Sequence, residues 1–279
     1  MKKVVVAYSV ADLAGVGTVL ELSKIAGCRE FKAESVGVCS TRLGSLELSI
    51  AGFSEDVLRF SFLDELFDAD YFIVVSRHSA VSGIKSLTVH HTGNPLDRAE
   101  YGGRPRELAI SNPPIALSIL RYLKQLSSDR RLEGVEVTYE VTHHGPTEVG
   151  KPLTFAEIGS SPSEWSYKPY QEVLAEAVFK AVTELPHNCT PSIGVGGGHY
   201  AHQFTERAMS VGECFGHIIS RHVVKELRDS PEVLEDVLRQ AVLKSSTRTA
   251  RVVLEGKIPA YVKQVVRSVS NAYGLEVIE

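Results

Sequence analysis

The residues best suited to chemistry in this chain stand where apolar runs break into turns. V-T-H-H-G-P-T at 141–147, S-L-T-V-H-H-T-G-N-P at 86–95 and S-I-G-V-G-G-G-H-Y at 192–200 each set imidazole beside glycine at the end of an extended segment. Ligands of open α/β sheets bind at the carboxyl ends of strands, so these three ends are expected to converge on one pocket. Imidazole suits zinc, and a catalytic zinc keeps three protein ligands. No H-E-x-x-H is present, so a metal site must be assembled from distant segments; the candidate ligands are His90, His91, His143 and His199. Adjacent strand residues point to opposite faces. While the strands stay regular, His91 lies with Leu87 and Val89, and His143 with Tyr139 and Val141. One imidazole of each pair is then expected to bind metal or substrate and the other to orient it; all four share one metal only if the pairs lie past the strand ends. His143 and His144 are candidate catalytic residues, and Glu148 and Glu206 are the nearest carboxylates for a ligand set or a general base. Gly197 and Gly198 offer backbone N–H groups to a substrate oxygen. His187, His217 and His222 are read as hydrogen-bonded core histidines. There is no G-x-S-x-G elbow and no cysteine beside the histidines, which speaks against a serine or cysteine nucleophile.

Elements that would position these groups are readable along the chain. Lys3–Val10 is a continuous apolar strand feeding a helix in which Leu13, Val16 and Leu20 share a face. Gly15 and Gly17 there fit helix–strand packing better than a dinucleotide fingerprint. Short strands follow near 36–39 and 46–50. Tyr71–Val75 is a strand ending at Arg77, His78, Ser79 and Ser82, a polar set suited to an anion or a sugar. The 96–107 interval, with Arg98, Arg104 and Arg106 around two glycines, reads as a mobile loop. A helix begins at Ser111, strands run over 135–142 and 153–158, and a long helix buries Tyr170, Val173, Leu174, Ala177, Ala181, Val182 and Leu185. After a strand at 192–195, residues 204–227 read as mixed helix. A capped helix from Ser230 and a βαβ ending, 249–279, close the chain.

With 279 residues, 43% of them hydrophobic and 23% charged, the chain fits a single soluble α/β domain with insertions at 96–107 and 249–279. The expected fold class is three-layer α/β/α around a mostly parallel mixed sheet. No stretch approaches the roughly 18 apolar residues that span a bilayer, and a cytoplasmic monomer is expected. Cys28, Cys39, Cys189 and Cys214 form no C-x-x-C pair and are read as free thiols in a reducing compartment. A formal charge of −4 argues against a general nucleic-acid coat protein. That charge is unevenly spread: Arg239–Arg267 holds seven basic residues against one acid, Glu255, either a solvated face or a patch for a phosphate-bearing substrate.

The set S-R-H-S-x-x-S-G at 76–83, L-T-V-H-x-T-G-N at 87–94, T-H-H-G-P-T at 142–147 and G-G-G-H-Y-A followed by F-T-E at 196–206 resembles the archaeal and plant type of D-aminoacyl-tRNA deacylase. The resemblance runs to about His217. It implies hydrolysis of the ester joining a D-amino acid, such as D-tyrosine, to the terminal ribose of tRNA, with a zinc cofactor and an α/β core similar to that of peptidyl-tRNA hydrolase and phosphorylase-like hydrolases. On it, Arg77, His78, Ser79, Ser82, Asn94, Thr147, Gly197 and Gly198 become candidate substrate-binding residues. Arg98, Arg104, Arg106, Lys244, Arg248 and Arg251 become candidate tRNA contacts, through phosphate charge. The expected chemistry is attack on the ester carbonyl by zinc-activated water, with Glu148 or Glu206 moving protons. A rival has water oriented by the tRNA ribose hydroxyl and leaves the metal structural. The family pattern A-P-R-F-T-E after G-G-G-H-Y is replaced by A-H-Q-F-T-E, so an expected cation is missing at His202-Gln203. The alternative classes are a metal-dependent hydrolase of small amides or esters, and a non-enzymatic RNA-binding module.

Overall fold

Lys2–Ser9 (β1) and Tyr71–Ser79 (β4) form the axis of the molecule. The computed structural model describes residues 1–28, 30–184 and 188–279; the expectations for Leu185 and His187 fall outside them. Between the two axial strands run Leu13–Ala26 (α1), Gly37–Leu43 (β2), Leu46–Phe53 (β3) and Leu63–Leu66 (α2). Next come Ser86–His90 (β5), Gly93–Asn94 (β6), Glu107–Leu108 (β7), Pro113–Asp129 (α3), Glu136–Tyr139 (β8) and Leu153–Ser160 (β9). Then follow Pro162–Trp165 (α4), Lys168–Thr183 (α5), Thr190–Gly196 (β10), His202–Ser210 (α6), Glu213–Ile219 (β11) and Arg221–Glu226 (α7). Pro231–Leu243 (α8), Arg251–Glu255 (β12), Ala260–Tyr273 (α9) and Glu276–Ile278 (β13) complete the chain.

The larger sheet has seven strands in the order β2-β3-β1-β4-β9-β5-β8. Pairing is parallel for β1–β3, β1–β4, β4–β9 and β5–β8 and antiparallel for β2–β3 and β5–β9. The fold is therefore mixed α/β around a mostly parallel sheet. A second sheet, β11-β10-β12-β13, is parallel throughout. The segment 204–227, expected to be helical, contains the buried strand β11 between α6 and α7. Its seven apolar-leaning residues lack the length that separates a buried helix from a strand.

One face of the large sheet is covered by α1, α3 and α5, which pack Leu22, Leu117, Leu120, Val173 and Val178 onto Val6, Ile73, Val89 and Ile158. Gly15 allows this approach, since a Cβ there would lie 2.9 Å from the Val75 carbonyl oxygen. Helix α3 also contacts β11, so it is shared by both sheets. The other face of the second sheet holds Ile193, Val195, Val252 and Leu254 against Val223, Leu234, Val237, Val262 and Val266. Burying each such side chain contributes about 1.5–3 kcal/mol.

On its other face the large sheet carries Phe72 and Val74 with Leu153, Phe155, Phe60 and Leu63. Alternation continues that face along β4 to Ser76 and His78, and along β9 to Glu157. An apolar floor thus turns polar as it approaches the histidines.

All four cysteines are paired, Cys28 with Cys39 and Cys189 with Cys214, which corrects the expectation of free thiols. Cys28 follows α1 and Cys39 lies in β2, while Cys189 precedes β10 and Cys214 lies in β11. Tertiary adjacency, not sequence spacing, makes both pairs. Disulfides persist inside hyperthermophile cells as well as outside cells, so they assign no compartment. No helix among the described residues is long and apolar enough to cross a membrane.

Candidate functional site

The segment after β8 is sewn between the two sheets. Val141 N–H donates to His199 O at 3.0 Å, Thr142 N–H to Ile218 O at 2.8 Å, and Ala201 N–H to Tyr139 O at 2.8 Å. This seam delivers His143 and His144 from the first sheet and His199 from the second to one place.

The histidines do not meet at a shared row of strand ends. Because β5 runs antiparallel to β9 while β4 runs parallel to it, the carboxyl ends of β4 and β5 lie at opposite ends of the sheet. The groups meet on its face, over β9. Glu157 is in register with Ser76 on one side and Thr88 on the other; His78 stands opposite Gly159, and His90 opposite Phe155. His78, His90 and Glu157 therefore share a face.

Around Glu157 and Glu140 stand five imidazoles. Glu140 Oε1 is 3.2 Å from His78 Nδ1, and its Oε2 lies 3.4 Å from His143 Nε2 and 3.2 Å from His199 Nε2. Glu157 Oε2 is 3.5 Å from His90 Nε2 and 3.6 Å from His78 Nδ1, while its Oε1 accepts from Ser76 Oγ at 2.7 Å. Three donor groups have all their ligand atoms within 4.8 Å of one another: His90, His143 and His144; His78, Glu140 and His199; and His90, Glu140 and Glu157.

Those donors fit a cation. The carbonyl oxygens of Val141 and Gly145 can only accept, so His143 Nδ1 and His144 Nδ1, 2.8 and 2.7 Å from them, carry the protons. Each leaves its Nε2 lone pair free, the arrangement usual for a metal-ligating histidine. For His143 that lone pair faces a carboxylate oxygen with no proton between. Both Glu140 oxygens and His90 Nε2 are buried with no hydrogen-bond partner among the described residues, an unfavourable state unless a cation supplies the missing charge. Burial, reinforced by neighbouring His90, lowers the pKa values of His143 and His144, the latter to about 4, so both present the neutral form that ligates metals. Burial alone would raise Glu140 and Glu157. The polar contact with His199 for Glu140, and with His78 and His90 for Glu157, outweighs it and holds both carboxyls down.

A cavity of about 1330 Å³ opens on this cluster. His78, His143, His144, Glu157, His199, Gly197, Gly198, Arg77, Ser79, Asn94 and Arg98 all contribute to its wall. Ser82 is exposed and is not on that wall. Asn94 and Thr147 hold the arginine loop: Asn94 Nδ2 donates to Gly102 O at 2.8 Å, and Arg104 N–H donates to Thr147 Oγ1 at 2.8 Å. With Gly145 N–H donating to Tyr101 O at 2.9 Å and Arg98 paired to Glu226, the loop expected to be mobile is fastened at four points.

Several other candidates lie elsewhere. His91 faces away from the cluster, donating from Nδ1 to Gly216 O at 2.6 Å and accepting at Nε2 from Asn112 N–H at 3.0 Å. Both nitrogens are used, so it has no lone pair for a metal. Glu148 accepts from Thr147 N–H at 2.9 Å and lies outside the three donor groups. Glu206, on α6, lines a separate cavity of about 480 Å³. Glu140 and Glu157 occupy the place expected of these carboxylates. Lys244 Nζ donates to Leu108 O at 2.7 Å, and Arg251 pairs with Glu276 at 2.6 Å. Arg251 opens β12 while Glu255, at the other end, is level with Gly196 beside the cavity, so Arg251 sits at the far end of an inner strand of the second sheet. Arg248, three residues earlier, is exposed, and Arg104 and Arg106 are exposed on their loop. His217 is the core histidine expected, between Thr142 Oγ1 and Ala109 O. His222 is not: it is exposed on α7, 3.2 Å from Glu226. His202 turns outward to Glu136 at 2.9 Å, and Gln203 lines the smaller cavity.

Comparison with known proteins places the chain beside relatives of one name. A family model described as D-aminoacyl-tRNA deacylase matches residues 66–278. Proteins named D-aminoacyl-tRNA deacylase are similar to the chain: one from Staphylothermus marinus is 42% identical over 258 residues (90% of each chain), and one from Aeropyrum pernix 40% identical over 261 (91% of each). A third, from Hyperthermus butylicus, is 38% identical over 275 residues, covering 96% of this chain and 97% of its own. A solved crystal structure of a conserved protein of unknown function superimposes with a TM-score of 0.85 at 28% identity, covering 99% of this chain and 95% of its own.

Proposed function

The chain belongs to the D-aminoacyl-tRNA deacylase family, and from that premise we propose that it hydrolyses the ester of D-aminoacyl-tRNA at the histidine–carboxylate cluster, with zinc bound there. One observation supports the placement above others: five imidazoles and two buried carboxylates form one cluster, and His78, His143, His144, His199 and Glu157 of it line the wall of one large cavity. The small-ester alternative has no comparable support.

His90, His143 and His144 would hold one ion, and His78, Glu140 and His199, which share no residue with them, a second. Zinc bound at such a site supplies Lewis acidity and lowers the pKa of water. Glu157 lies on the cavity wall, placed to take a proton from attacking water and return it to the leaving ribose oxygen. Ser76, donating to its other oxygen, fixes the orientation of that carboxylate. Backbone carbonyls fix His143 and His144 in one tautomer. Gly197 and Gly198 bring backbone to the cavity wall with no side chain in the way, giving an acyl oxygen access to N–H groups.

The test is deacylation of D- and L-tyrosyl-tRNA by wild type and His143→Ala, paired with metal analysis. Selective cleavage of the D-ester by zinc-loaded wild type, lost in a metal-depleted His143→Ala, is the expected result. Equal turnover of both esters, or full activity in verified metal-free protein, overturns the chiral or the zinc claim respectively.

A further inference from the structure

The cavity is larger than an aminoacyl group requires. Small-ligand pockets run to roughly 300–1,000 Å³, and this one holds about 1330 Å³. Its floor is the histidine cluster, and its mouth is framed by two elements: the loop carrying Tyr101, and helix α7, with Arg221 and Lys225 four residues apart on it. The Arg98–Glu226 pair clasps these elements together.

Charges on that wall are not equivalent. Arg77 lies 3.9 Å from Asp56, Arg98 is paired with Glu226, and His222 stands 3.2 Å from the same carboxylate. Arg221 and Lys225 are exposed and have no carboxylate within ion-pair distance among the described residues. Burial pushes the Glu255 carboxyl up, and the charge of Arg221 opposes that rise without forming an ion pair. Arg221 is also next to the chemistry: its N–H donates to Gly197 O at 3.0 Å, two residues from His199. Across the mouth, Tyr101 is 68% exposed although its own carbonyl is fixed by Gly145 N–H. A large aromatic ring in water on an anchored backbone is a ready stacking surface. Cations that track a backbone and an aromatic that takes a base are the parts with which proteins hold single-stranded nucleic acid.

Resting on the function proposed above, we infer that Arg221, Lys225 and Tyr101 form a grip for the single-stranded 3′ end of the tRNA, the two cations on a phosphodiester and the tyrosine ring on an unstacked base. The basic C-terminal face around Arg248 and Arg251 is not part of it. The grip positions the terminal ribose over the cluster without reading sequence.

The experiment compares kcat/KM for D-tyrosyl-tRNA with that for 2′(3′)-O-D-tyrosyl-adenosine, which carries no phosphate, in metal-loaded protein. In Arg221→Ala/Lys225→Ala the ratio of the two falls at least tenfold, mainly through KM on tRNA. The slope of log(kcat/KM) against log salt flattens by about 0.7 for each phosphate that the variant no longer neutralises. Tyr101→Ala raises KM for tRNA about tenfold and Tyr101→Phe restores it, because stacking needs the ring and not the hydroxyl. Arg251→Ala leaves the ratio at its wild-type value. A ratio within twofold of wild type in the double variant, or an equal fall in Arg251→Ala, overturns the grip while leaving the deacylase reading standing. A wild type that cleaves neither ester removes both.

Discussion

His90 and His91 are neighbours in sequence and occupy opposite faces of one strand end: His90 Nε2 lies 3.5 Å from Glu157 inside the cluster, whereas His91 commits both ring nitrogens to Gly216 and Asn112. Substitution separates their roles. His90→Ala lowers metal content and activity with a small change in unfolding midpoint of the metal-free protein. His91→Ala leaves a buried carbonyl and a buried N–H unpartnered, at about 1–3 kcal/mol each. It therefore costs stability while the folded fraction still binds metal. Urea titration alongside metal analysis checks both; loss of metal from folded His91→Ala would contradict the assignment.

Glu157→Gln keeps the side-chain volume and removes the base. Single-turnover cleavage is expected to slow by about 10²–10⁴-fold, with substrate affinity retained. Glu206→Gln, on the wall of the other cavity, serves as the comparison; matching losses in the two variants would return proton transfer to the residue expected from spacing.

Acid destabilises the fold through its neutral histidines. Burial, chiefly, lowers His91 to about 3 and His217 to about 4 from an ordinary 6.5. Both stay unprotonated in the folded state, where the unfolded chain would bind a proton. Their stability contribution is complete above pH 6.5 and is lost as pH falls towards 4. For His217 the loss amounts to on the order of 3 kcal/mol. Urea midpoints of metal-free protein should fall between pH 7 and pH 4.5, and fall less in His217→Gln; a flat profile refutes the linkage.

Removing metal should lower the melting temperature as well as activity. A ligand present at about 1,000 times its Kd stabilises by about 4 kcal/mol, and the bare site leaves both buried Glu140 oxygens without a hydrogen-bond partner among the described residues. Differential scanning calorimetry before and after chelation, then after zinc is restored, measures the shift. An unchanged midpoint argues against an ion among these donors.

Gly197→Ala is expected to damage the site from behind. Gly197 has φ of +77°, and a Cβ there would lie 2.5 Å from Glu255 Oε2. The backbone strain is of order 1–3 kcal/mol, and relieving it moves the strip that carries His199. Lowered kcat with native-like circular dichroism is the predicted signature.

Much of the architecture was legible because long periodic or β-branched runs leave little choice: α5 buries Tyr170, Val173, Leu174, Ala177, Ala181 and Val182 as expected. The site was legible only in part. Alternation correctly separated His90 from His91. It failed at His143 and His144 because β8 ends at Tyr139 and His144 takes φ of +40°, so both imidazoles turn inward. Glu140 and Glu157 went unnoticed inside V-T-Y-E-V and F-A-E-I. Each was a lone carboxylate in a run otherwise fit for burial, and that mismatch was the available signal, since a buried charge demands a partner. Which strands run antiparallel, and hence that the histidines gather on a face and not at an edge, is a matter of pairing that no local pattern encodes.

His199 reaches the cluster from β10, whose ladder is completed by β11 and by Arg251–Glu255. A chain leaving the ribosome exposes His78, His90, His143 and His144 first, and domains fold as units. The strip bearing His199 meets Tyr139 and Val141, which emerge before it, but its ladder stays open on one side until Arg251–Glu255 follows. Nascent molecules therefore carry the first four histidines well before β12 closes the sheet that holds the fifth.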